Sequence, residues 1–235
     1  MNRSFKEFKL QHRSNKNQII YNSKKTNNDS EVLNLIDNFL TEKNSFIFES
    51  VEKGKIKGRY TIFGKNPDKI WEFNNNNSFL IKNKKKIKLK QKPQILIENI
   101  IEDFKFKIPS GLPSISSLIS GYFSYDTIRY IENIPNTCKD DLKVPDVRLL
   151  RPRTLVIHDN LKKKIFYIIN IFKDEKILNY SKKYAEIKSE LTNLYTQSLT
   201  VKVNEDIFKK LIKVNVQLNT TKNKSLIIIN KSKNT

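Results

Sequence analysis

Glu49 and Ser50 close the apolar run SFIFES, residues 45–50, and Arg59 opens the next, RYTIFG, residues 59–64, after a connector bearing lysine and glycine. A carboxylate and a hydroxyl at one strand end, with a guanidinium at the start of the following strand, allow two arrangements. One is a surface hairpin with polar ends. The other is a small polar pocket between two strands. The remaining chemistry-bearing residues are sparse. Two histidines (His12, His158) and one cysteine (Cys138) cannot build a common zinc site. Cys138, in NTCKDD, has no neighbouring histidine to make it a nucleophile. His158, in TLVIHDN, reads as a strand-end residue. Among five glycines no phosphate-cradling GxxxxGK[ST] or GxGxxG pattern occurs. The residues alone show no catalytic constellation.

Composition narrows the classes further. Hydrophobic residues make up 37% of the 235, with fourteen Phe and nine Tyr, enough to bury a core and to argue against wholesale disorder. The formal net charge of +21 points first to nucleic acid. Only seven of the 45 basic residues are arginine, however, and the lysines are spread along the chain. Phosphate clamping and base readout favour arginine forks, so solvated lysine faces are the better reading and no nucleic-acid partner is expected. A lone cysteine permits no internal disulfide, no apolar run approaches a membrane span, and MNRSFKEFKLQHRSNKNQ lacks a signal-peptide core. A cytoplasmic protein with no membrane partner is expected.

The elements that would position Glu49, Ser50 and Arg59 follow from periodicity. DSEVLNLIDNFLTEK (29–43) reads as an amphipathic helix with Val32, Leu33, Leu35, Ile36, Phe39 and Leu40 as its stripe. Strand-like runs follow at 45–50, 59–64, 68–74 and 78–83, the last two joined by NNNN as a hairpin. KKKIKLKQK (84–92) reads as an edge strand, where inserted lysines discourage edge-to-edge pairing. Pro93 opens a second helix with Ile97, Ile100, Ile101 and Phe104 on one face. IPSGLPSISS (108–117) is a turn-rich loop, and LISGYFSYD (118–126) is a strand carrying Tyr122 and Tyr125. Residues 153–172 form a hairpin turning at Asp159-Asn160, and 175–197 the longest helix, with Ile177, Leu178, Tyr184, Ile187, Leu191 and Leu194 on one face. Seven or more strands with three helices indicate an α+β domain built on a mostly antiparallel sheet. After about residue 198 the pattern weakens, so two segments are expected: a domain over 1–197, and over 198–235 a linker with the start of a further helix.

Three of these stretches resemble the N-terminal domain of anthranilate synthase component I. FIFESVEKGKIKGRYTIFGKNP is similar to that family's leucine-leucine-glutamate-serine segment and the arginine-tyrosine strand after it. ISGYFSYDTIRYIENIP is similar to its glycine-tyrosine…tyrosine-aspartate segment, with Asp126 and Arg129. DDLKVPDVRLLRPRTLVIHDN resembles the Pro-Asp segment and hairpin that follow. Order and spacing agree from about residue 15 to 197.

The resemblance implies that Glu49, Ser50 and Arg59 line an allosteric site for tryptophan. Glu49 and backbone carbonyls would accept the ligand's ammonium, and backbone N–H groups and a nearby cation would hold its carboxylate, by charge-assisted bonds. It also implies a lyase that converts chorismate, with glutamine or ammonia, to anthranilate in tryptophan biosynthesis under feedback inhibition. In the family the catalytic residues and the magnesium-binding glutamates lie in a C-terminal half. LNTTKNKSLIIINKSKNT resembles only the opening helix of that half. The chain therefore reads as a truncated, regulatory component I, inactive alone and without a cofactor of its own. Its partners would be the catalytic half and the glutamine amidotransferase subunit, component II. The alternatives are component I of aminodeoxychorismate synthase in the folate pathway, a stand-alone amino-acid-binding module, and a basic RNA-binding protein.

Overall fold

The computed structural model describes residues 1–26, 30–49, 58–135, 140 and 142–200. Cys138 and the expected second segment lie outside them, apart from residues 198–200. The chain folds in the order α1 (Phe5–Arg13), β1 (Gln18–Lys25), α2 (Ser30–Leu40), β2 (Phe46–Glu49), β3 (Tyr60–Asn74), β4 (Asn77–Lys82), β5 (Lys85–Leu89), α3 (Pro93–Asp103), β6 (Ser120–Phe123), β7 (Val147–Asp159), β8 (Lys164–Ile171) and α4 (Tyr180–Leu199). Among the described residues eight strands, all paired antiparallel, form one sheet ordered β1-β8-β7-β3-β4-β5, with β2 added to β3 and β6 to β7. This is the α+β, antiparallel class expected from the sequence. No helix among the described residues is long and apolar enough to cross a membrane.

Strand alternation sorts the core into two faces. On one, Phe63, Val156, Tyr167 and Ile169 pack with Val32, Leu35 and Phe39 of α2 and Ile187, Leu191 and Leu194 of α4. On the other, Ile157, Phe166 and Ile168 lie beneath the turn-rich loop, which contributes Ile108, Leu112 and Ile115. A further cluster joins Trp71, Phe73 and Leu149 to Leu96 and Ile100 of α3. The helix over 30–40, the NNNN hairpin and the Pro93 helix fall where expected. β5 is a sheet edge whose lysines face solvent, which suits strand edges that must not pair.

Several elements depart from the sequence reading. The runs 59–64 and 68–74 are one strand, β3, fifteen residues long. A register shift between Pro67 and Lys69 absorbs the proline that lies between the two runs, and Asn66 takes a left-handed φ of 53° beside it. Tyr125 belongs to a 3-10 turn, Tyr125–Tyr130, rather than to β6. α4 starts at Tyr180, capped by the Asn179 side chain, so Ile177 and Leu178 precede it and Leu178 is exposed. In α2 the buried stripe is Val32, Leu35 and Phe39, while Leu33 and Leu40 face solvent.

α1 and β1 add to the expected set. α1 begins with a reciprocal cap in SFKE, the Ser4 hydroxyl accepting the Glu7 N–H and the Glu7 carboxylate accepting the Ser4 N–H. The free edge of β1 is covered by the chain's first residues. The Asn2 carboxamide accepts from the Tyr21 N–H at 2.8 Å, its Nδ2 donates to the Ile19 carbonyl, and its own N–H donates to the Tyr21 carbonyl.

Candidate functional site

β2 is four residues long and lies against the first third of β3, with Phe46 opposite Gly64, Ile47 opposite Phe63, Phe48 opposite Ile62 and Glu49 opposite Thr61. The Phe46 ring lies directly on Gly64. A Cβ at that position would come within 2.1 Å of the ring, so glycine there is what lets β2 seat. Ile47 packs on the helix-covered face with Phe63, and Phe46 on the loop-covered face. By alternation Glu49 shares the face of Ile47.

On that face Glu49 begins a row that crosses the sheet near one end of its strands. Glu49 is opposite Thr61, Thr61 opposite His158, His158 opposite Ile165, and Ile165 opposite Lys24. Thr61 and His158 are buried and Glu49 is exposed. At the far end of the row Lys24 pairs with Glu31, in the first turn of α2, at 2.9 Å. Burial raises the Glu31 pKa, but hydrogen bonds from Thr26 and Lys24, with the charges of Lys24 and His158, outweigh it and hold the carboxyl below its ordinary value. His158 is thus a strand-end residue, as its sequence context indicates, but a buried one within a polar row.

Arg59 lies elsewhere. Its Nε donates to Asp159 Oδ1 at 3.0 Å and its Nη2 to Oδ2 at 2.8 Å, a two-point ion pair. Asp159 is opposite Tyr60 and shares the face of Ile157 and Ile62, the loop-covered side. The guanidinium also lies over the Tyr60 ring, 4.8 Å from its centroid. The structure therefore brings Glu49 together with Thr61 and places the Arg59 guanidinium on the opposite face. Ser50 lies outside the described residues.

Asp159 is 1% exposed and accepts two further bonds, from the N–H groups of Leu161 and Lys162, which closes the β7–β8 turn. Burial raises its pKa, but the Arg59 hydrogen bonds and the Lys162 amide, followed by the Arg59 charge and the Leu161 amide, bring the carboxyl below its ordinary value. The same pairing raises Arg59. Asp159 and Thr61 were not picked out by sequence reasoning. The Asp-Asn turn after an apolar strand was the visible sign of the first. Position 61, two residues into RYTIFG, was visible as a polar residue but not as the neighbour of Glu49.

A concavity of about 720 Å³ lies beside β6 and is lined by Tyr122, Tyr125, Asp126, Arg129, Tyr130 and Asp146 among others. The Tyr130 hydroxyl donates to Asp146 Oδ2 at 2.6 Å; burial and that carboxylate raise its pKa. Asp126 and Arg129, which carry part of the sequence resemblance, pair with each other here.

No family model matches the chain. Curated proteins do. Over 167 residues it is 29% identical to anthranilate synthase component 1 of Cereibacter sphaeroides, covering 69% of this chain and 33% of that protein. It is 33% identical over 140 residues to anthranilate synthase component 1 of Acetivibrio thermocellus, covering 59% and 28%. It is 30% identical over 173 residues to the chloroplastic anthranilate synthase alpha subunit 1 of Oryza sativa, covering 69% and 30%. Among solved structures, anthranilate synthase component I from Streptococcus pneumoniae superposes with a TM-score of 0.50 at 21% identity, over 70% of this chain and 34% of that one, a likeness of fold. The chain spans about a third of the length of the curated relatives it matches. By sequence this chain is similar to anthranilate synthase component I over a stretch about a third as long as those relatives, and its fold is like that of the solved one.

Proposed function

We propose that this chain is the regulatory part of an anthranilate synthase component I and that it binds tryptophan at the end of β2. Glu49 accepts the ligand's ammonium, Ser50 adds a short donor and acceptor, and Arg59 serves the carboxylate. The observation that carries the reading is the state of Glu49. In a chain of net charge +21, its carboxylate is exposed at a strand end and makes no hydrogen bond or ion pair among the described residues. An unpaired carboxylate amid excess lysine is a ready acceptor for a ligand ammonium.

Arg59 is compatible with this role in a limited way. Asp159 takes its Nε and one Nη2 proton, leaving Nη1 and the second Nη2 proton as donors for a ligand carboxylate. Such a ligand reaches from the Glu49 face around the end of β2 toward the opposite face.

The catalytic half and component II are the proposed partners, the setting is cytoplasmic, and chorismate conversion belongs to the assembled enzyme. Among the described residues no group of three or more His, Cys, Asp or Glu is placed to hold a metal ion.

The test is a fusion of this chain to the chorismate-binding half of a relative, read as the tryptophan concentration that half-inhibits anthranilate formation. Glu49→Gln and Ser50→Phe should both raise that concentration, Ser50→Phe by filling ligand space and Glu49→Gln by removing the charge. If neither variant moves it, the strand end is merely solvated.

A further inference from the structure

The sheet's edges are protected in different ways. The first residues of the chain cover β1, lysines guard β5, and β2 ends on the charged Glu49. β6, with sequence SGYF, has none of these protections, although it pairs with β7 alone among the described residues. In an antiparallel ladder every second residue bonds its partner strand. The Ser124 N–H donates to the Asp146 carbonyl at 2.7 Å, one step beyond the last ladder pair, Phe123 with Val147. Counting back, Tyr122 bonds toward β7, and the N–H and C=O of Gly121 and Phe123 face the open edge. Tyr122 and Phe123 are exposed, as are Tyr125 and Ile131 just after them, at 88% and 80%. Such an edge is a template for another strand.

Charge sets this surface apart. No lysine occurs between Lys107 and Lys139, the longest lysine-free stretch of the chain. The concavity beside β6 is lined by Asp126, Asp140, Asp146 and Arg129 and by no lysine, whereas three further concavities all carry lysines. Two copies of a chain with net charge +21 repel wherever lysines face each other, so this is the surface on which they can meet. We propose that a second copy of this chain docks there, β6 pairing antiparallel with β6 about a two-fold axis to continue the sheet. Gly121 of each copy then exchanges N–H and C=O bonds with Phe123 of the other, and the exposed rings and Ile131 are covered. The contact uses the same surface on both copies, so it closes at a dimer. Ligand binding at β2 plays no part in it.

The experiment is sedimentation equilibrium of the full chain and of its Phe123→Pro and Phe123→Ala variants, at low and high salt. Both variants remove the ring, but only proline also removes the outward N–H, which the β6–β7 ladder does not use. The parent should be a dimer in reversible exchange with monomer, tightening as salt screens the net charge. Phe123→Pro should raise the dissociation constant about tenfold or more above that of Phe123→Ala. Matching melting temperatures show that both variants fold. Should proline disturb the fold, Tyr125→Lys puts a cation on an exposed turn beside the edge and should weaken the dimer in the same direction. Equal dissociation constants for the proline and alanine variants of matching stability would overturn the proposal. So would a parent that is monomeric at every concentration, assemblies that grow beyond a dimer, or association that weakens with salt. A monomeric parent whose binding to component II falls in Phe123→Pro assigns the edge to that subunit and equally overturns it.

Discussion

The Arg59 guanidinium grips the Asp159 carboxylate through two hydrogen bonds of 3.0 and 2.8 Å, on the sheet face opposite Glu49. The pair ties the first residues of β3 to the β7–β8 turn, 100 residues along the chain. Asp159→Asn should keep the turn's shape but weaken four hydrogen bonds made to a charge. A loss of roughly 2 kcal/mol in denaturant unfolding is expected. Unchanged stability would mean that the turn holds without the pair.

Gly64 is the seat of β2. Gly64→Ala should push the Phe46 ring off the sheet and cost about 1–3 kcal/mol. Phe46→Ala in the same background should recover part of that loss, because the clash needs both partners. The double variant should still bind ligand poorly, since Glu49 depends on the pairing of β2. Additive effects of the two substitutions would contradict the close contact.

Most of the fold was legible because the strongest sequence signals were those of burial. VIHDN…KIFYIINI alternates and runs apolar where β7 and β8 are covered on both faces, and the lysines of β5 mark an edge. What stayed hidden had local causes. Pro67 looks like a strand breaker and becomes one only when no bulge absorbs it. α1 and β1 bury only Phe8, Ile19 and Ile20 as large apolar residues, and their ends are held by the cap at Ser4 and the side chain of Asn2, signals weaker than a long apolar run. For the site, strand-end position and residue type indicated Glu49. The separation of Arg59 from it was not readable, because side-chain direction at a strand's first residue depends on its partner, here Asp159. The same holds for Thr61, since strand register across the connector after residue 49 cannot be counted from sequence.

Acid should act through a second ion cluster. Arg151, 8% exposed, donates to Asp68 Oδ1 through Nε at 2.8 Å and to Asp174 Oδ1 through Nη2 at 3.0 Å, and Asp174 also accepts from Lys69. Burial raises the Asp174 pKa, but Lys69 and Arg151 overcome it and hold the carboxyl at about 2 against an ordinary 3.8. A lowered folded pKa means that the stabilisation is complete above the unfolded value and lost as pH falls through the folded one. Stability should therefore decline between pH 4 and pH 2, and Asp174→Asn should flatten that decline while lowering stability at pH 7. Chemical denaturation across this range reads both effects, and an identical pH slope in Asp174→Asn would contradict the assignment.

Chorismate conversion is not expected of the chain by itself. Purified chain incubated with chorismate, magnesium and ammonia should develop no anthranilate fluorescence, with or without component II. Its appearance at a rate proportional to chain concentration would contradict the regulatory reading.

The central claim is that the end of β2 binds tryptophan through Glu49, and calorimetric titration of L-tryptophan into the full chain and its Glu49→Gln variant tests it most directly. The account predicts saturable, one-site binding to the parent and affinity lowered about tenfold or more in Glu49→Gln, because a bond to a charged acceptor is replaced by one to a neutral amide. The binding should weaken as added salt screens the exposed carboxylate. Equal affinity in the two proteins, or no heat of binding in the parent, would contradict it.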